Sequence, residues 1–191
     1  MIPTFRTSDP VSAADVEETA VEKTPHIILV GLPGAGKTTV GRAVAEATGR
    51  RFLDFDAEIE RREHSTVPEI FGSKGEPHFR KLERLLTEDL QKTGNMILAP
   101  GGGWIANPGC LELLRPPATL IYLKVRPEAA MSRMGADAVN RPLLMRPDPL
   151  GELRKLLEIR ENLYLKADHT VSTNMMSFGQ VVDRIVALAR G

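Results

Sequence analysis

The chain has 191 residues, enough for one domain with a sizeable core, and its 25 basic residues balance 25 acidic ones. Balanced charge argues against bulk nucleic-acid binding, a lone cysteine excludes an internal disulfide and fits a reducing cytoplasm, and no apolar run approaches the roughly 20 residues of a membrane span.

Residues 1–25 set Arg6 and Lys23 against Asp9, Asp15, Glu17, Glu18 and Glu22. That is neither a basic-then-apolar secretory signal nor an acid-poor transit peptide. The segment is read as a disordered or loosely packed extension, with a short helix over 11–22 as the alternative, and the domain as 26–191. HIILV (26–30) predicts a buried parallel strand. TTVGRAVAEATG predicts a helix capped at Gly49, and RFLDFD (51–56) a second strand. Residues 57–64 read as a helix, followed by a short helix and a longer one from about Glu76 to Lys92. MILAP (96–100) is a third strand running into GGG. A short helix at Cys110–Leu114 precedes a fourth strand, TLIYLKV, and PEAAMSRM is a helix opening at Pro127. Residues 135–150 are rich in proline and glycine and read as a long functional loop. GELRKLLEIRENLYLKA is a periodic helix, HTVST a fifth strand and SFGQVVDRIVALAR a final helix. Alternating strands and helices predict an α/β fold with a parallel sheet.

The most specific signal is GLPGAGKT at 31–38, which matches G-x-x-x-x-G-K-[ST] between a predicted strand and a predicted helix. Such a loop wraps backbone N–H groups around phosphate oxygens, and the helix N-terminus adds partial positive charge. Gly34, Ala35, Gly36, Lys37, Thr38 and Thr39 are therefore the candidates for holding a nucleoside triphosphate. Lys37 would reach the β- and γ-phosphates, and Thr38 would place its hydroxyl on Mg²⁺. No NKxD guanine-reading motif is present, and GGG stands where a D-x-x-G switch would follow the third strand. Both features argue against a GTPase.

FLDFDAEIE (52–60) places Asp54 and Asp56 two residues apart. On a strand they would share a face, and like charges there need a cation or a hydrogen-bonding partner.

Taken with FLDFDAEIE, EIFGSKGEPHFRKLE, PGGGW, RPLL and EIRENLY, in this order, the sequence resembles shikimate kinases, small P-loop kinases of aromatic amino-acid biosynthesis. The resemblance covers residues 26 to about 190. It implies a three-layer P-loop kinase fold, with a central five-stranded parallel sheet flanked by helices and a mobile lid at about 135–150. It also implies a monomer that uses ATP and Mg²⁺ to phosphorylate shikimate at its 3-hydroxyl. Asp54 would join Thr38 at the metal, through water. Asp56 would accept a hydrogen bond from the attacking hydroxyl. Arg80 and Arg160 would hold the substrate carboxylate, and Glu83 would brace Arg80 or touch a hydroxyl. Gly101, Gly102 and Gly103 would bring backbone N–H groups to the substrate. Arg141, in the lid, would reach the transferring phosphate alongside Lys37. Arg133 would stack on the adenine, with Met134 as the alternative in strict register.

Two departures stand out. Pro100 precedes the glycines where a small or hydroxyl residue is expected. The adenine-side loop starting at VSTN lacks a proline, and Phe178 lies near there instead. Trp104 either lines the substrate pocket or packs beside it. His26, His64, His78 and His169 show no metal-ligand spacing, and Cys110 reads as inert. The alternatives are another small-metabolite kinase, such as a gluconate-type kinase, and a shikimate-sensing module without turnover.

Overall fold

The computed structural model describes residues 24–135 and 147–190. Among the described residues there are five strands: the apolar β1 (Ile27–Val30) and β3 (Met96–Ala99), the mostly apolar β4 (Thr119–Lys124), and the more polar β2 (Arg51–Asp54) and β5 (His169–Ser172). All pairings are parallel, in the order β2-β3-β1-β4-β5. β1 is central, with Ile28 opposite Leu98 on one side and Leu120 on the other. All residues of β1 and β3 are buried, as expected of parallel strands covered on both faces.

Among the described residues, seven α-helices flank the sheet: α1 (Lys37–Thr48), α2 (Phe55–Glu63), α3 (Val67–Leu90), α4 (Cys110–Leu114), α5 (Pro127–Met134), α6 (Pro149–Tyr164) and α7 (Phe178–Ala189). Their ends follow local chemistry. α1 stops at Gly49, in the left-handed region at φ 67°, whose N–H bonds the carbonyls of Ala45 and Glu46. α3 opens with a capping box between Thr66 and Glu69, and α7 with one between Ser177 and Gln180. The expected break between a short and a longer helix is a kink at Gly75 within α3.

Three expectations change. β2 ends at Asp54 rather than at residue 56, and α2 starts at Phe55. The Asp54 side chain caps α2, accepting from the backbone N–H groups of Asp56 and Ala57 at 3.0 and 3.3 Å. Asp54 and Asp56 thus share no strand face; the N-cap overrides the alternation. α6 spans 149–164 rather than 151–167, because Asp148 caps it by accepting from Gly151 N–H at 2.8 Å. Thr24 and Pro25, assigned to the extension, are tied to the domain: Asn95 N–H donates to the Thr24 carbonyl at 2.7 Å and Arg50 to that of Pro25 at 2.8 Å. The expectations for residues 1–23, and for a lid carrying Arg141, fall outside the described residues.

Candidate active site

The carboxyl ends of β1, β2 and β3 lie side by side, where open α/β sheets bind ligands. β1 delivers the glycine-rich loop, the junction of β2 and α2 delivers Asp54 and Asp56, and the loop after β3 delivers Gly101–Gly103. A cavity of about 690 Å³ opens there, lined by Gly34–Val40, Asp54, Asp56, Gly101, Met176 and Phe178 among others.

Gly34 sits at φ +77°, and a Cβ there would strike the Ala130 carbonyl, so this loop path needs glycine. Lys37 Nζ donates to the carbonyls of Gly31 and Leu32 at 3.0 and 3.1 Å, holding its charge over the loop. Thr38 Oγ1 donates to Asp54 Oδ2 at 2.6 Å. Two oxygen ligand candidates from different elements therefore meet at the cavity wall. That donor set fits Mg²⁺, which takes few protein oxygens and completes its octahedron with phosphate and water. Among the described residues there is no cluster of three or more His, Cys, Asp or Glu suited to a metal. His26 is buried against the Leu90 carbonyl at 3.1 Å, burial lowering its pKa, and His64 takes the left-handed conformation that ends α2. Burial pushes the Cys110 thiol pKa up, in keeping with an inert side chain.

The three glycines are each pressed against a candidate substrate residue. The position of a Cβ on Gly101 lies 3.0 Å from Asp56 Oδ1 and 3.3 Å from Glu83 Oε1. On Gly102 it lies 3.5 Å from Arg160 Nη1, and on Gly103 only 2.6 Å from Arg80 Cζ. A side chain on Gly103 would displace Arg80 and one on Gly101 would crowd Asp56 and Glu83, whereas a Cβ on Gly102 would sit in ordinary contact with Arg160. Asp56 and Gly101 also line the cavity, so the acidic, basic and glycine candidates form one site continuous with the phosphate loop.

Glu83 is fully buried. Its Oε2 accepts from Arg80 Nη1 at 2.7 Å, while Oε1 has no hydrogen-bond partner. Burial raises its pKa to about 7, against the opposing pull of Arg80. Arg160 is buried on α6, four residues before Tyr164 and on the same helix face.

Two anchors of the glycine loop escape a sequence reading. The Tyr164 hydroxyl donates to the Gly102 carbonyl at 3.0 Å, and its ring stacks on Tyr122 at 5.0 Å. Burial raises the Tyr164 pKa, which keeps the hydroxyl a donor. Trp104 is fully buried and does not line the cavity. Its indole N–H donates to Thr87 Oγ1 at 2.9 Å, and Thr87 in turn donates to the Glu83 carbonyl at 2.7 Å. The sequence signals were the R-x-x-x-Y spacing and an indole following three glycines, but neither names its partner.

Arg133 donates to Thr173 Oγ1 at 2.8 Å and to the Thr173 carbonyl at 2.7 Å. Both Arg133 and Met134 line the cavity, so the two registers considered for this position describe neighbours in one wall. Pro100 lines it as well.

The family model described as shikimate kinase matches residues 33–190. A shikimate kinase of Pelotomaculum thermopropionicum is 41% identical over 161 residues, covering 84% of this chain and 93% of that one. Among solved structures, a shikimate kinase from Acinetobacter baumannii in complex with shikimate has TM-score 0.82 and 42% identity, covering 86% of this chain and 92% of that one. A gluconokinase from Sinorhizobium meliloti has TM-score 0.56 at 17% identity, covering 87% and 91%, a likeness of fold alone. Sequence match, fold and site geometry agree: this chain belongs to the shikimate kinase family.

Proposed function

We propose that the chain transfers the γ-phosphate of ATP to the 3-hydroxyl of shikimate, as a cytoplasmic monomer. The observation that carries this reading is the convergence of Asp56, Glu83, Arg80 and Arg160 on Gly101–Gly103 at the rim of the phosphate-loop cavity. Two guanidinium groups suit a carboxylate, and a carboxylate at the cavity wall suits a hydroxyl aimed at a phosphate.

The backbone N–H groups of residues 34–39 cradle the phosphates, and Lys37 exchanges its loop carbonyls for the β- and γ-oxygens. Thr38 and Asp54 would hold Mg²⁺, which supplies charge neutralisation at those oxygens. Asp56 accepts a hydrogen bond from the 3-hydroxyl and aims it at the γ-phosphorus; its contribution is mainly positional, because the transition state of phosphoryl transfer is loose. Arg80 and Arg160 fix the substrate carboxylate, with Glu83 bracing Arg80. Gly101–Gly103 offer backbone donors at close range, and Arg133 flanks the base. Arg141 of NRPLL supplies a further cation to the transferring phosphate, as the family resemblance implies.

A coupled ADP-release assay with ATP, Mg²⁺ and a panel of shikimate, quinate and gluconate tests this. Shikimate-dependent turnover far above ATP hydrolysis alone is expected. Turnover confined to another acid overturns the substrate, and shikimate binding without turnover overturns the enzyme in favour of a sensor.

A further inference from the structure

Arg80 already carries two carboxylates, and they differ in kind. Glu83 Oε2 accepts from Nη1 at 2.7 Å, from a side chain that is 0% exposed. Glu76 Oε1 accepts from Nε at 3.1 Å and from Nη2 at 2.7 Å, from a side chain that is 49% exposed. A guanidinium has five N–H donors, and its Nε/Nη2 edge is one of the planar forks that match a carboxylate. That edge is the one taken by Glu76.

A substrate carboxylate arriving at Arg80 therefore meets a guanidinium already engaged by two acids. At pH above about 7, where Glu83 is ionised, three carboxylates on one cation repel one another, and one must yield. Glu83 cannot: it is enclosed, with Oε1 against Gly101 and its helix pinned by the Thr87–Trp104 contacts. Glu76 can: it is exposed and stands one residue beyond the Gly75 kink, where α3 is interrupted. Its solvated carboxylate returns to water at little desolvation cost.

We propose that Glu76 is a resident stand-in for the substrate's carboxylate on Arg80: it holds the guanidinium fork in place and is displaced when the acid substrate binds, so it sets affinity by competition rather than by contact. This rests on the reading of Arg80 as a carboxylate-holding residue. It assigns opposite signs to the two acids flanking Arg80. Removing the charge of Glu83 releases Arg80 and weakens binding. Removing the charge of Glu76 frees the fork and tightens it.

The test is calorimetric binding and steady-state kinetics on Glu76→Gln, Glu76→Ala and Glu83→Gln beside the native enzyme, with shikimate and its methyl ester. An exposed ion pair is a weak competitor, so Glu76→Gln and Glu76→Ala are expected to lower Kd and KM for shikimate by about two- to fivefold. Kd for the uncharged ester should stay the same, and kcat should not rise in step. Glu83→Gln should raise Kd. Unchanged or weaker shikimate binding in both Glu76 variants overturns the proposal and leaves Glu76 a scaffold for Arg80. An equal gain for the ester overturns it too, because competition for the fork requires a charged ligand. The native enzyme's own turnover judges the substrate separately: if it uses another acid, the same comparison is made on that acid.

Discussion

Asp54 divides its two oxygens between tasks. Oδ1 caps α2, while Oδ2 accepts a hydrogen bond from the Thr38 hydroxyl. One side chain thus fixes Asp56 in the first turn of α2 and couples it to the phosphate loop. Glu83 shows the opposite economy, with one oxygen on Arg80 and the other buried beside Gly101. Its pKa, raised from 4.5 to about 7, has a consequence for stability. Between these two values the folded chain retains a proton that the unfolded chain has released. Stability from this group is therefore fully present below pH 4.5 and falls as pH rises to about 7. Glu83→Gln cannot ionise. The stability advantage of the native chain over this variant should shrink by on the order of 2–3 kcal/mol from pH 4.5 to 7. Urea unfolding across that window checks it; a constant difference would mean that Glu83 stays ionised throughout. His26 acts in the other direction, since its lowered pKa costs stability as pH falls below 6.5.

At the scale of elements, α3 carries Glu76, Arg80 and Glu83 on a segment whose start is set by Gly75, at φ 78° and ψ 169°. That backbone region is open essentially to glycine alone. Gly75→Ala meets little steric resistance, its nearest neighbour being Pro77 Cδ at 3.6 Å, so its cost is conformational. It should destabilise the fold by about 1–3 kcal/mol and raise KM for shikimate more than KM for ATP, because Arg80 moves while the phosphate loop does not. Equal effects on both constants would show that the kink serves the fold alone. The two-part character of this helix was legible because Gly-Glu-Pro interrupts a 3.6-residue pattern. The end of β2 was not, because FLDFD alternates like a strand, and only the bonds from Asp56 and Ala57 N–H to Asp54 reveal a cap. The short central strands were readable for the converse reason: a parallel strand flanked on both sides and covered on both faces is apolar throughout, as IILV and MILA are.

For the molecule as a whole, legibility tracks sequence distance. The phosphate loop is contiguous, so spacing specifies it. The substrate end joins residues from α2, α3, α6 and the loop after β3, and bonds such as Tyr164 to Gly102 span 62 positions, beyond any local pattern. Residues lining the cavity run from Gly34 to Val181. The domain's hold on the N-terminal side reaches Thr24 and Pro25 through their carbonyls, and Arg50 ties Pro25 to the end of α7 by a second bond, to the Ala189 carbonyl at 3.2 Å. Removing residues 1–23 leaves all of these bonds in place. We expect that truncated chain to keep kcat/KM within about twofold and its urea midpoint unchanged. Removing residues 1–25 deletes two backbone acceptors as well. At about 0.5–1.5 kcal/mol for each hydrogen bond, that longer deletion should cost roughly 1–3 kcal/mol of stability while kcat/KM at low temperature holds. A tenfold fall in kcat/KM on removing 1–23 alone would place part of that segment in the working enzyme. Equal stability of the two truncations would show that the Thr24 and Pro25 carbonyls do not help to close the domain.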